Sequence, residues 1–353
     1  MVDDVRAKAA LRPIDVVISV DTEFAINSAL IDPRRTPIGR DYIDADDGTT
    51  SHGLGFMLRT LAEHQLRATF FIECFNVFHF GEEPMASVAK DIADHGHDLQ
   101  IHLHLVWLYY RLESWRRRLE HESRPEDRFA GWDPGEVQGW VSEAVAIFRR
   151  LTGRQAIAFR SGNLSVDLNL YRALAAANIA LASNVGLALF RPQEPELQLS
   201  GGIHRFSGVV EVPVTSYADF FRQQPNRLLT TTGSTWREIA AVLESAWRKQ
   251  AGPVVILTHP HDFGRLEIAA DGSGFRARPA VLQQQRFVEL CRLLGRERDR
   301  FRTSTFDEAA ERWAQAGTEN DRLLHASFSG FTARAVENRL QPRLAGLRRL
   351  LSA

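Results

Sequence analysis

Ile14-Asp15-Val16-Val17-Ile18-Ser19-Val20 runs straight into Asp21-Thr22-Glu23-Phe24. The first seven residues are mostly β-branched and apolar. Such a run suits a strand covered on both faces, as in a parallel sheet with helices packed over it. It ends in two carboxylates at alternate positions, which share a face in an extended chain. Parallel α/β folds keep their chemistry at the C-terminal ends of their strands. Asp21 and Glu23 are therefore candidates for chemistry, with a turn or helix N-cap as the plain structural use of the same residues.

Outward from this strand the chain alternates. A loop rich in Asp, Pro, Gly and Thr covers Ala25 to His52. Leu54, Met57, Leu58 and Leu61 then recur at helical spacing, and Arg67 to Ile72 reads as a second strand. A helix is expected from Pro84 to His95. The next strand is Asp98-Leu99-Gln100-Ile101-His102-Leu103-His104, where polar residues alternate with apolar ones and two histidines share one face at the strand end. Alone, that pair reads as a polar strand end. Gln155 to Phe159, Ile179 to Ala182, Val209 to Pro213 and Pro253 to Thr258 supply further strands, mostly followed by helices. About seven strands in this order favour a distorted α/β barrel of parallel strands.

Three segments stand apart. Residues 1–12 are a loose lead-in to a barrel over 13–315. An aromatic helical insertion occupies 106–150 and holds four of the seven tryptophans. Its rings suit stacking on sugars or packing of helices onto the barrel, and packing is the expectation for most of them. Residues 316–353 form a tail in which Val336, Leu340, Leu344, Leu347 and Leu351 follow a helical stripe among arginines. Docking to the barrel or to a second subunit is the first reading of that tail, and a membrane-surface helix the second.

Composition narrows the class. The chain has 353 residues, 44% hydrophobic and 25% charged, with 43 basic against 44 acidic side chains. That balance leaves no basic footprint for nucleic acid. Two cysteines, Cys74 and Cys291, imply neither a disulfide framework nor a cysteine zinc site. No apolar run reaches the length of a transmembrane helix, and the first residues lack the apolar core of a signal peptide. The expected location is the cytoplasm.

Four strand ends then carry polar chemistry: Asp21 with Glu23, His102 with His104, Arg160 and His259. In a parallel barrel all of these ends face one way and converge. A buried strand end at Arg160 calls for an acidic partner. Carboxylate and imidazole ligands suit Zn²⁺, and also Fe²⁺, Co²⁺, Ni²⁺ or Mn²⁺.

These residues resemble the polysaccharide deacetylases with the NodB-homology domain, carbohydrate esterase family 4, over about Ile14 to Trp313. Val17 to Glu23 resembles the first motif, Ala68-Thr69-Phe70-Phe71-Ile72 the Ala-Thr-Phe-Phe strand, and Gly96 to His102 the approach to the His-x-x-x-His motif. Phe159-Arg160-Ser161-Gly162 stands where the family has Arg-Pro-Pro-Tyr. Glu211-Val212-Pro213-Val214 and Ile256-Leu257-Thr258-His259 are similar to later strands.

The resemblance implies a metal-dependent hydrolase that removes an N-acetyl or similar acyl group from a carbohydrate or glycan precursor. It implies Asp21 as base, Glu23 and His102 as metal ligands, Arg160 as the group orienting Asp21, His259 as acid and Leu257 as a wall of the acyl pocket. The chain departs from the pattern at Val106, where the second motif histidine would stand, and His104 is the expected substitute. It also lacks Pro-Pro-Tyr after Arg160 and has no aspartate-tryptophan motif near Ala182-Ser183-Asn184. These departures leave a second reading, a catalytically inactive glycan-binding or scaffold relative. An amidohydrolase-type barrel also uses His-x-His, but after its first strand rather than its third.

Overall fold

The opening strand, Ile14–Thr22 (β1), is buried from end to end. The computed structural model describes residues 11–32, 34–121, 126–268, 274–317 and 321–337. The remaining strands, in chain order, are Thr69–Glu73 (β2), Asp98–Leu103 (β3), Ala158–Ser161 (β4), Leu181–Ala182 (β5), His204–Phe206 (β6), Val209–Glu211 (β7), Ser216–Ala218 (β8), Arg227–Leu228 (β9), Val254–Thr258 (β10), Gly264–Ile268 (β11), Phe275–Pro279 (β12), Phe301–Thr303 (β13) and Leu324–His325 (β14). The helices are Arg40–Asp44 (α1), Leu54–Glu63 (α2), Val77–Phe80 (α3), Glu83–Asp94 (α4), Trp115–His121 (α5), Pro134–Thr152 (α6), Leu168–Ala176 (α7), Trp236–Lys249 (α8), Val281–Arg296 (α9) and Phe306–Gln315 (α10).

Seven strands pair in parallel in the order β10-β1-β2-β3-β4-β5-β7. This is the barrel expected from the sequence. β6 adds antiparallel to β7. β13 pairs with the first residues of β1, on the edge that further along takes β2. Between β7 and β10 the sheet is bridged by irregular chain rather than a full strand. There the Thr215 N–H donates to the Val255 carbonyl at 3.1 Å, and the Leu257 N–H to the Leu229 carbonyl at 3.0 Å. The barrel is therefore curled and incompletely closed. The hairpin β11–β12 and the small sheet β14-β8-β9 lie outside it.

Strand alternation splits the apolar residues into two layers. Val16, Ile18 and Val20 of β1 join the outer layer with Leu58, Leu61, Val242 and Leu290 from the helices. Val17 turns inward with Phe71, Val255, Leu257, Phe306 and Trp313. α10 thus closes the end of the barrel where β1 begins, and the Trp313 indole donates to Asp15 at 3.2 Å. Six residues further along β1, Asp21 lies roughly 20 Å from Asp15 at the strand rise per residue, so the site sits at the opposite end.

The aromatic stretch after β3 does pack. Trp107, Tyr109, Tyr110 and Trp115 are buried, whereas Trp132 and Trp140 meet each other edge to face at 5.3 Å. α6 then begins on an Asp133 N-cap and completes the crossover to β4. Residues 328–337 are helical. The rest of the expected tail helix, and most of the lead-in, lie outside the described residues.

Candidate active site

The inward-facing residues of neighbouring strands change from apolar to ionisable at the C-terminal rim. β1 presents Asp21, β2 Glu73, β3 His102 and β4 Arg160, all buried. In-register pairing of Glu73 with His102, and of His102 with Arg160, fixes their order around the barrel.

Arg160 finds the acidic partner that its position required. Its Nη1 donates to Asp21 Oδ1 at 2.7 Å. Its other nitrogens donate to the Ser183 carbonyl at 3.1 Å and the Ser183 hydroxyl at 2.8 Å, and the guanidinium lies 4.2 Å from the centre of the Phe71 ring. Burial opposes the charge on Asp21, but Arg160, His102 and His259 outweigh it and hold its carboxyl below the usual range. Behind Ser183, Glu211 accepts from the Asn184 and Val185 amides at 2.9 and 3.0 Å and from the Tyr171 hydroxyl at 2.9 Å. Burial pushes the Glu211 carboxyl up to about 7.

The two histidines converge on Glu23. His102 Nε2 lies 3.6 Å and His104 Nε2 2.9 Å from Glu23 Oε2. His102 Nδ1 faces the Arg160 carbonyl at 3.0 Å. A carbonyl only accepts, so Nδ1 carries a proton and Nε2 is the nitrogen that faces the site. His104 Nδ1 faces Asp127 Oδ2 at 2.5 Å. Metal-binding imidazoles use this arrangement, one nitrogen oriented by an oxygen and the other free for the ion. Burial opposes a charge on His104, but Asp127 and Glu23 override it and raise its pKa well above the ordinary value. Burial likewise opposes ionisation of Glu23, and His104 and His102 still hold it well below its ordinary value.

Glu23, Glu73, His102 and His104 each place one donor atom within 4.8 Å of the others. Two oriented imidazoles and a carboxylate form a donor set that fits a divalent cation such as Zn²⁺. Glu73 contributes mainly by holding backbone: its oxygens accept from the Phe75 and His104 amides, both at 2.8 Å.

Gly162 explains how His104 takes this place. A Cβ there would lie 2.5 Å from His104 Nδ1 and 2.6 Å from Cγ. The absence of Pro-Pro-Tyr and the presence of His104 are therefore two sides of one packing solution, since a side chain at 162 would overlap the imidazole. The next residue, Asn163, donates to Asp127 Oδ2 at 2.8 Å. Gly162→Ala is expected to displace the His104 ring and weaken Zn²⁺ binding by about 10- to 100-fold, the usual cost of disturbing a ligand's support. Isothermal titration with Zn²⁺ measures it.

His259 follows β10 and approaches from the other side. Its Nδ1 lies 3.3 Å from Asp262 Oδ2. Burial lowers its pKa, but the charge and hydrogen bond of Asp262, with Glu23 and Asp21 behind, raise it to about 9. His261 stacks on His259 with centroids 4.7 Å apart and planes 29° from parallel, and Tyr42 stacks on the other face of that pair at 4.4 Å from His261. Ring lone pairs so nearly parallel cannot meet at the roughly 2.1 Å of a zinc–nitrogen bond. His259 and His261 therefore suit proton chemistry rather than joint coordination of one ion. Leu257, one turn of the pleat below His259, belongs to the inner apolar layer.

The structure thus brings Asp21, Glu23, His102, His104 and Arg160 together at one rim, with His259 near enough for its charge to act on Asp21, and leaves Leu257 in the inner apolar layer. The chain is similar to polysaccharide deacetylases. A protein of Mycobacterium smegmatis assigned as a polysaccharide deacetylase shares 17% identity over 89% of this chain and 96% of its own, with a TM-score of 0.49. A family 4 acetyl xylan esterase from Clostridium thermocellum, solved with a cobalt ion, shares 13% identity over 83% of this chain and 88% of its own, at 0.37. A mutant of a family 4 pseudoenzyme with restored activity shares 11% identity over 84% of this chain and 68% of its own, at 0.41. No protein-family model and no curated protein matches the chain.

Asp127, Glu73 and Asp262 were not among the residues marked as functional in the sequence. Glu73 had a readable signal, a carboxylate ending a buried strand. Asp262 lies three residues past His259, close enough in sequence to be weighed with it. Asp127 sits in a loop before α6, and nothing in its neighbours' spacing points to His104.

Proposed function

We propose that the protein is a metal-dependent hydrolase that removes an N-acetyl or similar acyl group from a carbohydrate or glycan precursor. The observation that carries this reading is the placement of Asp21, held by Arg160, beside the Glu23–His102–His104 group. A base beside a cation site is an arrangement that suits metal-assisted amide hydrolysis.

Glu23, His102 and His104 would hold a divalent cation, which when bound would supply Lewis acidity toward an acyl carbonyl and a water. Asp21, ionised by its pairing with Arg160, accepts the proton of the attacking water as its oxygen bonds to the acyl carbon. His259, protonated and oriented by Asp262, donates a proton to the sugar nitrogen as the C–N bond breaks. Arg160 keeps Asp21 charged and fixed, and Leu257 is proposed as an apolar wall for the acyl group. The test is elemental analysis of the purified protein, followed by acetate release from N-acetylated sugars with the metal present and after chelation. Metal-dependent release supports the reading.

One observation favours the inactive alternative. Both nitrogens of His104 already face carboxylates, Glu23 and Asp127, so this cluster satisfies its own charges without an ion. A protein that takes up no divalent cation would be a binding or scaffold relative instead.

The acid assignment has a pH consequence. His259 must be protonated to act, so activity falls as pH rises through about 9, the value to which Asp262 helps raise it. Asp262→Asn removes the nearest negative charge. The alkaline limb of kcat is then expected to move down by about 1 to 3 pH units. An unmoved limb in that variant assigns the acid role elsewhere.

A further inference from the structure

Two rings beside His259 take no part in the proposed proton transfers: His261 and Tyr42. His261 lies on His259 with ring centroids 4.7 Å apart and planes 29° from parallel. Tyr42 lies on the opposite face of His261, at 4.4 Å and 25°. The three rings make one stack with His261 in its middle, and aromatic rings attract one another at about this spacing. The polar atoms of His261 do not explain its place. Its Nδ1 is buried without a hydrogen-bond partner among the described residues, and its Nε2 lies 4.0 Å from Asp262 Oδ1, too far for a hydrogen bond. Burial, and after it the charge on His259, lower the His261 pKa to about 4, against the opposing pull of Asp262, Glu23 and Asp21. His261 is therefore neutral at neutral pH, and its flat face is what it offers to His259.

His259 needs that contact. The torsion that turns a histidine ring is intrinsically broad. The hydrogen bond that restrains it here, from Nδ1 to Asp262 Oδ2, is long at 3.3 Å. The same oxygen also accepts from the His259 amide at 2.9 Å and from the Thr258 hydroxyl at 3.2 Å. One long bond to a shared acceptor holds one ring atom, whereas a stacked neighbour holds the plane.

The stack is braced from outside. Tyr42 belongs to α1, whose first residue, Arg40, pairs with Asp44 at 2.7 Å and ties the helix to α4 through Ser87, at 2.6 Å, and Asp91. Just past the end of α1, the Ala45 Cβ would lie 2.2 Å from a Cβ placed on Gly264. The chain two residues after Asp262 therefore runs against this helix, and only glycine allows that approach.

We propose that His261, backed by Tyr42, is a positioning residue that fixes the plane of the His259 ring. The positioning itself does not depend on the deacetylase reading, but its consequence for catalysis rests on it. In that reaction the amine leaves with the electron pair of the C–N bond and takes the proton from His259 Nε2. A ring out of plane fails at that step, while attack of water on the acyl carbon, with its proton passing to Asp21, is untouched.

The test has two arms, both on the full chain, with melting curves to check the fold. In the first, carbon-13 relaxation of the His259 ring is measured by NMR in the wild type, His261→Ala, His261→Phe and Tyr42→Ala. The ring is expected to be ordered in the wild type and in His261→Phe, which restores a flat face without the nitrogens, and to lose order in both alanine variants. In the second, kcat for acetate release from an N-acetylated sugar is expected to fall about 10- to 100-fold in His261→Ala and to recover to within about threefold of the wild type in His261→Phe. Hydrolysis of 4-nitrophenyl acetate, whose leaving group departs without a proton, should change by less than about threefold in His261→Ala. A His259 ring as ordered in His261→Ala as in the wild type overturns the proposal. So does a His261→Phe variant that behaves like His261→Ala, which would assign the role to the imidazole nitrogens, and so do equal losses on the sugar and the ester. Should His261→Ala not fold, Tyr42→Ala carries the same comparisons. A wild type that releases no acetate overturns the deacetylase reading instead, and the relaxation arm then decides the positioning by itself.

Discussion

Asp21→Asn is expected to lower the rate of acetate release by about 10²- to 10⁴-fold, the usual contribution of a positioned general base. The amide keeps the size of the carboxylate, and its oxygen still accepts from Arg160, but it cannot take a proton from water. Asp21 stands outside the Glu23–Glu73–His102–His104 group, so Zn²⁺ affinity should survive the change. That split separates a base from a ligand. Loss of activity together with loss of zinc binding would move Asp21 into the metal shell. A variant within tenfold of the wild type would remove its role as base altogether.

Arg160→Met has the largest expected effect on stability. Arg160 is fully buried and Asp21 nearly so, and they meet at 2.7 Å. Removing one partner of a buried pair leaves a charge without compensation, at a cost of about 3–5 kcal/mol. The pH dependence should also reverse. In the wild type the folded-state pKa of Asp21 is below its unfolded value, so its contribution to stability is present above about pH 4 and lost as pH falls through the folded pKa. Without Arg160, burial dominates and the Asp21 pKa rises above the unfolded value. The variant then loses stability as pH increases above the unfolded pKa, because burying an ionised Asp21 becomes the unfavourable step. Urea unfolding at several pH values measures both the midpoint and this change of sign. A midpoint close to the wild-type value at neutral pH would mean that the Ser183 contacts, rather than the ion pair, hold this corner.

These two residues show why part of the site was legible. A buried strand has few reasons to end in a charged residue, so Asp21, Arg160 and His259 were conspicuous against apolar runs such as Val254 to Leu257. The period of two then predicted that Asp21 shares a face with Glu23, and His102 with His104. His104 is a further case. Its candidacy followed from alternation together with the departure at Val106, and the structure adds what sequence spacing lacked: Gly162 leaves the ring room, and Asp127 orients it.

What remained hidden was set by contacts between distant segments. Asp127 reaches His104 from a loop, and Glu211 supports the chain around Ser183 that grips Arg160. Neither lies on a pattern with a period, since hydrogen bonds across a folded core follow no spacing along the chain. Burial decided charge in the same way. Glu211 and Glu73 are each pushed up to about 7 by desolvation, a quantity defined only once neighbouring strands and helices exclude water.

The sequence by itself determined the order of strands and helices, the parallel barrel and the residues that end its strands. Apolar periodicity and β-branched runs are local properties, and local properties suffice to say which face of a strand is buried. Only the tertiary structure decided which rim residues touch: that Arg160 serves Asp21, that His104 joins Glu23, and that His259 answers to Asp262. The first two pairings depend on register and curl across the sheet, which bring Arg160 to Asp21 across 139 residues of chain, whereas His259 meets Asp262 in the short turn that follows β10.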